Sequence, residues 1–176
     1  MIVNFLRDVA LKLNTLQIPY MLTGSAAMDF YSVGRSTKDI DIIIELRIAD
    51  VERFLAIFDN HYYHQPSVVA EIKRRGMFNI IDYETGFKID FIVRPETEYA
   101  RTAFGRRVCD VENFGAPVWV ITAEDLIISK IRWIQDLYSD RQIADVLQIL
   151  NNPNLDTGYI KEWIRDLKLN TYQLTL

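Results

Sequence analysis

Residues 20–45 read YMLTGSAAMDFYSVGRSTKDIDIIIE. A short apolar run, a Gly-Ser pair and a helix-like segment lead to two aspartates, one residue apart, heading an Ile-rich strand. Asp39 and Asp41 alternate with Ile40, Ile42 and Ile44. Alternate side chains of a strand share a face. The isoleucines therefore point into a core, and the carboxylates sit together on the other face. Their Cα atoms, about 7 Å apart, allow both side chains to converge on one divalent ion. Gly24-Ser25 falls at a strand-to-helix turn, where glycine lets the backbone approach a ligand and a helix start attracts phosphate. A phosphate cradle followed by a carboxylate pair suits a metal-nucleotide complex.

A second alternating strand supplies a third acid. In residues 87–94, Phe87, Ile89, Phe91 and Val93 share one face, and Lys88, Asp90, Ile92 and Arg94 the other. If this strand lies near the first over the same core, Asp90 joins Asp39 and Asp41. Three carboxylates on one patch repel strongly, and bound cations remove the repulsion. Two ions about 3.5–4 Å apart serve in-line phosphoryl transfer. In that arrangement Asp90 either completes the metal site or acts as the base.

The bulk properties bound the alternatives. A chain of 176 residues, 49% apolar and 12% aromatic, buries a real core as one domain or one domain with an appendage. A net charge of −4 argues against a general nucleic-acid coat. Cys109 is the single cysteine, which excludes an internal disulfide and suits a reducing cytosol, so a cytoplasmic location is expected. No apolar run approaches about 18 residues, so no membrane span is expected. Residues 1–14 read as an amphipathic helix rather than a signal peptide.

Further helices are expected over residues 51–58, 67–75 and 96–104. Strands are expected at 77–83 and 87–94, and a second hairpin from 106–111 and 118–121. From Ala123 the texture becomes all-helical, with segments at 123–138, 141–150 and 157–167. This predicts an α/β (α+β) core over residues 1–122 and a C-terminal helical subdomain over 123–176 packed on it.

At Gly24, Ser25, Asp39, Asp41 and Asp90 the chain resembles the DNA polymerase β-like nucleotidyltransferase superfamily. Arg35-Ser-Thr-Lys-Asp-Ile-Asp, Lys88-Ile-Asp and the run from Ala123 to Lys130, followed by Asp145-Val146, resemble its small bacterial abortive-infection type, some members of which are toxins. The resemblance covers about residues 15–150. One position departs: Gln142 stands where that group often carries an acid. The resemblance implies a mixed sheet flanked by helices with a helical C-terminal part. It implies Mg²⁺-dependent transfer of a nucleoside monophosphate from an NTP such as ATP, in a toxin-antitoxin or phage-defence context. The acceptor is open, with tRNA and protein among the candidates, and a homodimer or partner protein would complete the cleft. The alternative is a silent nucleotidyltransferase fold kept as a binding or regulatory subunit.

Other residues carry two readings each. Lys130 lies on the apolar side of its helix and either snorkels to water or reaches a cleft to bind triphosphate. Arg35 and Lys38 are either phosphate ligands or loop charges. Asp145 falls off the apolar stripe of its helix and is read as solvated. His61 and His64 are read as surface or packing residues rather than a zinc pair. Residues 73–75, Lys-Arg-Arg, are read as a solvated helix end, and Arg101, Arg106 and Arg107 likewise as surface charges. The three tryptophans are read as core or interface, and Cys109 as buried.

Overall fold

The structure is a computed structural model that describes residues 2–31, 39–172 and 174–176. The first helix, α1 (Ile2–Thr15), buries Leu6, Val9, Ala10 and Leu13, the stripe expected of an amphipathic helix. A turn through Gln17, at φ 53°, leads into β1 (Tyr20–Thr23), which is buried throughout. The next helix, α2 (Gly24–Ala27), is one turn long and continues as a 3₁₀ turn over Met28–Phe30. The Asp-x-Asp strand is β2 (Asp39–Ile44). There follow α3 (Val51–Leu55), β3 (His61–Tyr62), α4 (Gln65–Arg74), β4 (Met77–Asp82) and β5 (Lys88–Val93). After α5 (Glu98–Arg106) come β6 (Val108–Asp110) and β7 (Val118–Val120). The chain closes on α6 (Ala123–Asp136), α7 (Asp140–Leu150) and α8 (Thr157–Asp166). The hydroxyls of Thr97, Thr122 and Ser139 and the carboxylate of Asp156 cap α5, α6, α7 and α8, each taking up a backbone N–H that helix geometry leaves unpaired.

Among the described residues seven strands form one mixed sheet in the order β3-β4-β5-β2-β1-β7-β6. The β2–β5 and β1–β7 pairs are parallel and the others antiparallel. The two-residue β3 lies outside the stretches expected as strands.

The parallel pairing of β2 with β5 sets the geometry at the centre of the sheet. Ile40, Ile42 and Ile44 lie beside Ile89, Phe91 and Val93, and all six are buried. Phe91 meets Phe54, Phe58 and Phe78 at ring-centroid distances of 5.2, 5.7 and 5.4 Å. Edge and offset-stacked contacts of this kind add to the burial of apolar area. That core fixes the register. A one-residue slip would turn the isoleucines outward and the aspartates inward.

Removing the ring of Phe91 leaves a cavity at the centre of this cluster. The Phe91→Ala variant is expected to lose about 3–5 kcal/mol of stability, read as a fall in the urea midpoint with unchanged slope.

Candidate active site

Register places the predicted acids on one face. Thr23 lies opposite Asp41, Asp41 opposite Asp90, and Asp90 opposite Asn79. A polar row thus crosses four strands, with neighbouring strands about 4.8 Å apart. Asp39 stands one step along β2, opposite Lys88. The Lys88 ammonium lies 2.8 Å from Asp90 Oδ2 and 3.6 Å from Asp39 Oδ1. Asp90 is 8% exposed, and its Oδ1 is buried with no hydrogen-bond partner among the described residues. A carboxylate oxygen left so costs free energy unless another ligand takes it up.

Asp41 carries the electrostatic strain. Burial, then the charges of Asp90 and Asp39, push its carboxyl up to about 6, against partial relief from Lys88 and Lys130. Gly24 presses on it directly. This glycine has φ 65°, and a Cβ there would lie 2.0 Å from Asp41 Oδ2. Glycine is therefore required twice, by a left-handed backbone and by contact with the acid. Ser25 follows in the first turn of α2, whose N-cap residue Thr23 makes no side-chain capping bond.

The helical part closes the site. Lys130 is 4% exposed and donates to Asp145 Oδ2 at 2.8 Å and to Gln142 Oε1 at 3.0 Å. It lines a cavity of about 220 Å³ together with Thr23, Gly24, Ser25, Asp41 and Gln142. Its side chain turns into the cleft rather than out to water. Asp145 is not solvated as expected. It is 3% exposed, because the lysine reaching in from α6 needs a buried counter-charge. Gln142, the departure from the resembling group, is the second oxygen on that lysine.

Arg35 and Lys38, expected beside the first acid pair, lie outside the described residues. Arg106 is no simple surface charge: it pairs with Glu124 and the fully buried Asp125 and covers the Tyr159 ring. Arg75 caps α4 in a left-handed conformation and reaches Glu45 and Glu96. Cys109 is exposed on β6 rather than buried. Trp133 is 62% exposed, while Trp119 and Trp163 pack against the core. Lys88 lies on the expected face, and the alternation that locates Asp90 places its ammonium beside that acid.

Among the described residues no three acids, histidines or cysteines close into a ready-made metal cluster, and no helix is long and apolar enough to cross a membrane. The donor set nevertheless fits a divalent cation. It offers hard carboxylate oxygens, one of them unpartnered, and a carboxyl whose ionisation a nearby positive charge would favour.

The mixed seven-stranded sheet flanked by helices is that of the nucleotidyltransferase fold. Residues 1–175 match the family model described as nucleotidyltransferase of unknown function, DUF6036, and the chain belongs to that family. Two solved structures of the antibiotic-resistance factor ANT(2'')-Ia share the fold. One is a solution structure (TM-score 0.58, 13% identity, 94% of this chain and 90% of that one). The other is a crystal structure in complex with adenylyl-2''-tobramycin (TM-score 0.56, 13% identity, 94% and 98%). An antigenic nucleotidyltransferase-like protein from Paracoccidioides brasiliensis is also similar (TM-score 0.54, 19% identity, 94% and 86%). No curated protein matches the chain by sequence.

The raised carboxyl of Asp41 has a pH signature. Its folded value of about 6 exceeds the 3.8 of an ordinary aspartate, so between those values the folded state binds more protons than the unfolded one. Stability contributed by this group therefore falls as pH rises from about 4 to 6 and stays low above. Without metal, Asp41→Asn is expected to be more stable than the parent by about 3 kcal/mol at pH 7, the gap closing towards pH 4. Urea titrations across that range in EDTA read the difference.

Proposed function

We infer that the protein transfers a nucleoside monophosphate from an NTP to an acceptor hydroxyl, with pyrophosphate as the leaving group. The observation that carries this reading is the polar row itself: Asp90, with an unpartnered buried oxygen, beside Asp41, with Gly24 pressed against it. Gly24 lacks the Cβ that would collide with Asp41, and so lets the α2 corner sit directly against that carboxylate. We assign Asp39, Asp41 and Asp90 to Mg²⁺, which when bound would neutralise phosphate charge and favour ionisation of the acceptor hydroxyl.

Gly24 and Ser25 hold the triphosphate through the α2 corner. Lys130, fixed by Asp145 and Gln142, places a positive charge on the same cavity, where it opposes the charge building on the leaving group. Asp90 accepts the acceptor proton, since it stands on the strand beyond Asp41 as seen from the Gly24 corner. Arg35 and Lys38 add phosphate contacts from the segment before β2. In this scheme residues 1–122 form the nucleotide-handling core, and 123–176 a helical subdomain that supplies Lys130 and a wall of the cleft. The adenylyl product in one ANT(2'')-Ia structure supports AMP transfer as the form of the reaction. The abortive-infection likeness rests on the motifs around Arg35, Lys88 and Lys130.

One observation favours the silent alternative. Lys88 already bridges Asp90 and Asp39, as a resident cation would in a site that no longer takes metal. Titration calorimetry with Mg²⁺ and each NTP separates the two readings. Metal-dependent nucleotide binding, abolished in Asp41→Ala with Asp90→Ala, supports the enzyme; no metal-dependent binding supports the silent subunit. Gly24→Ala is expected to lower NTP-dependent pyrophosphate release about a thousandfold, while a helix-to-sheet circular dichroism spectrum like the parent's confirms folding.

A further inference from the structure

The polar row has an apolar row beside it. One step further along the strands, Met21 lies opposite Ile43, Ile43 opposite Ile92, and Ile92 opposite Met77. These side chains floor a cavity of about 510 Å³, a volume that suits a small organic ligand. On one side it is walled by Arg132 and Trp133 of α6, on the other by Pro95 and α5. It shares Ile43, Ile92, Ser129 and Trp133 with the smaller cavity at Gly24 and Asp41, so the two adjoin. Met77 and Trp133 are 50% and 62% exposed. An apolar floor and an uncovered indole beside a catalytic row mark a binding surface.

Position and charge narrow the occupant. With the triphosphate against Gly24, Ser25 and Lys130, an in-line nucleophile arrives from the opposite side, over β5 and β4, where Asp90, Ile92 and Met77 lie. The charged groups lining the cavity are three guanidinia, Arg75, Arg94 and Arg132, and one carboxylate, Asp136. Glu45 holds Arg75 and Arg94, and Glu96 holds Arg75; neither glutamate is part of the lining. Arg132 is exposed, lies 5.4 Å from the Tyr99 ring centroid and makes no ion pair among the described residues. With Arg75 and Arg94 balanced by those glutamates, Arg132 is the guanidinium left to meet an acidic group on a ligand.

We propose that the acceptor is a small hydroxyl compound with a flat apolar body and one acidic group. Its body lies on the Met21–Ile43–Ile92–Met77 row against Trp133, its acid meets Arg132, and its hydroxyl reaches Asp90. The acceptor oxygen bonds to the α-phosphorus as the bond from that phosphorus to the α,β-bridging oxygen breaks. Pyrophosphate leaves with the bonding pair, and the hydroxyl proton passes to Asp90. This assignment rests on the nucleotidyltransferase reading above.

The probe is 1-anilinonaphthalene-8-sulfonate, an aromatic anion followed by its fluorescence, titrated into the full chain with Mg²⁺ and a saturating non-hydrolysable ATP analogue. Saturable binding at one site is expected in the presence of the nucleotide. Met77→Glu and Arg132→Glu are each expected to weaken it about tenfold, with the calorimetric nucleotide affinity unchanged, and spermine should not displace it. The assignment is overturned by absent binding, by displacement with the nucleotide (which would make this the nucleoside pocket), by displacement with spermine, or by indifference to both substitutions. Calorimetry of the nucleotide alone tests the parent reading separately: its failure with probe binding intact removes the transferase and leaves the groove.

Discussion

Repulsion among carboxylates held on one face of a sheet is the constraint on which the site depends. Asp41 and Asp90 face each other across a parallel β2–β5 pair, and the buried core beneath them prevents either strand from slipping to relieve the strain. The chain answers with positive charge. Lys88 bridges Asp90 and Asp39, and Lys130 acts on Asp41 from the helical side. Neither satisfies Asp90 Oδ1. A bound cation would relieve the repulsion that remains.

The two halves of the chain divide the work along physical lines. Strands place the acids, because a period of two with fixed register holds side chains in rows. The helices place Lys130, because a long lysine stem can cross from α6 and be fixed by Asp145 and Gln142 on α7. The buried Lys130–Asp145 pair is not an efficient source of stability, since both charges lose their water. Its geometry does orient the ammonium towards the Gly24 corner. The same strands that carry the acids carry the apolar row alongside, so one register sets both the acid row and the groove next to it.

Much of this was legible because it is local. Alternation in residues 39–44 and 87–94 gave both strands and the faces of their acids, and Gly24-Ser25 marked the corner. The adjacency of β2 and β5 was not contained in either pattern, since strands distant in sequence declare no partner; it was an assumption that the register then met. The misread residues are those whose surroundings come from elsewhere in the chain. Asp145 was judged from the apolar stripe of α7 alone, while its partner sits on α6. Cys109 was judged from a strand-like run, but β6 is a three-residue strand at the sheet edge, where side chains stay exposed. Arg75 looked like one more helix-end cation until its left-handed backbone turned it towards Glu45 and Glu96.

The central claim is that Asp41 and Asp90 together take a divalent ion. A crystal structure with Mn²⁺ and a non-hydrolysable NTP, phased to show anomalous scattering, tests it most directly. The account predicts manganese bound by both carboxylates, with Asp90 Oδ1 engaged and the Lys88 ammonium moved away from it. Manganese absent from this row, with Lys88 still bridging Asp90 and Asp39, would contradict it.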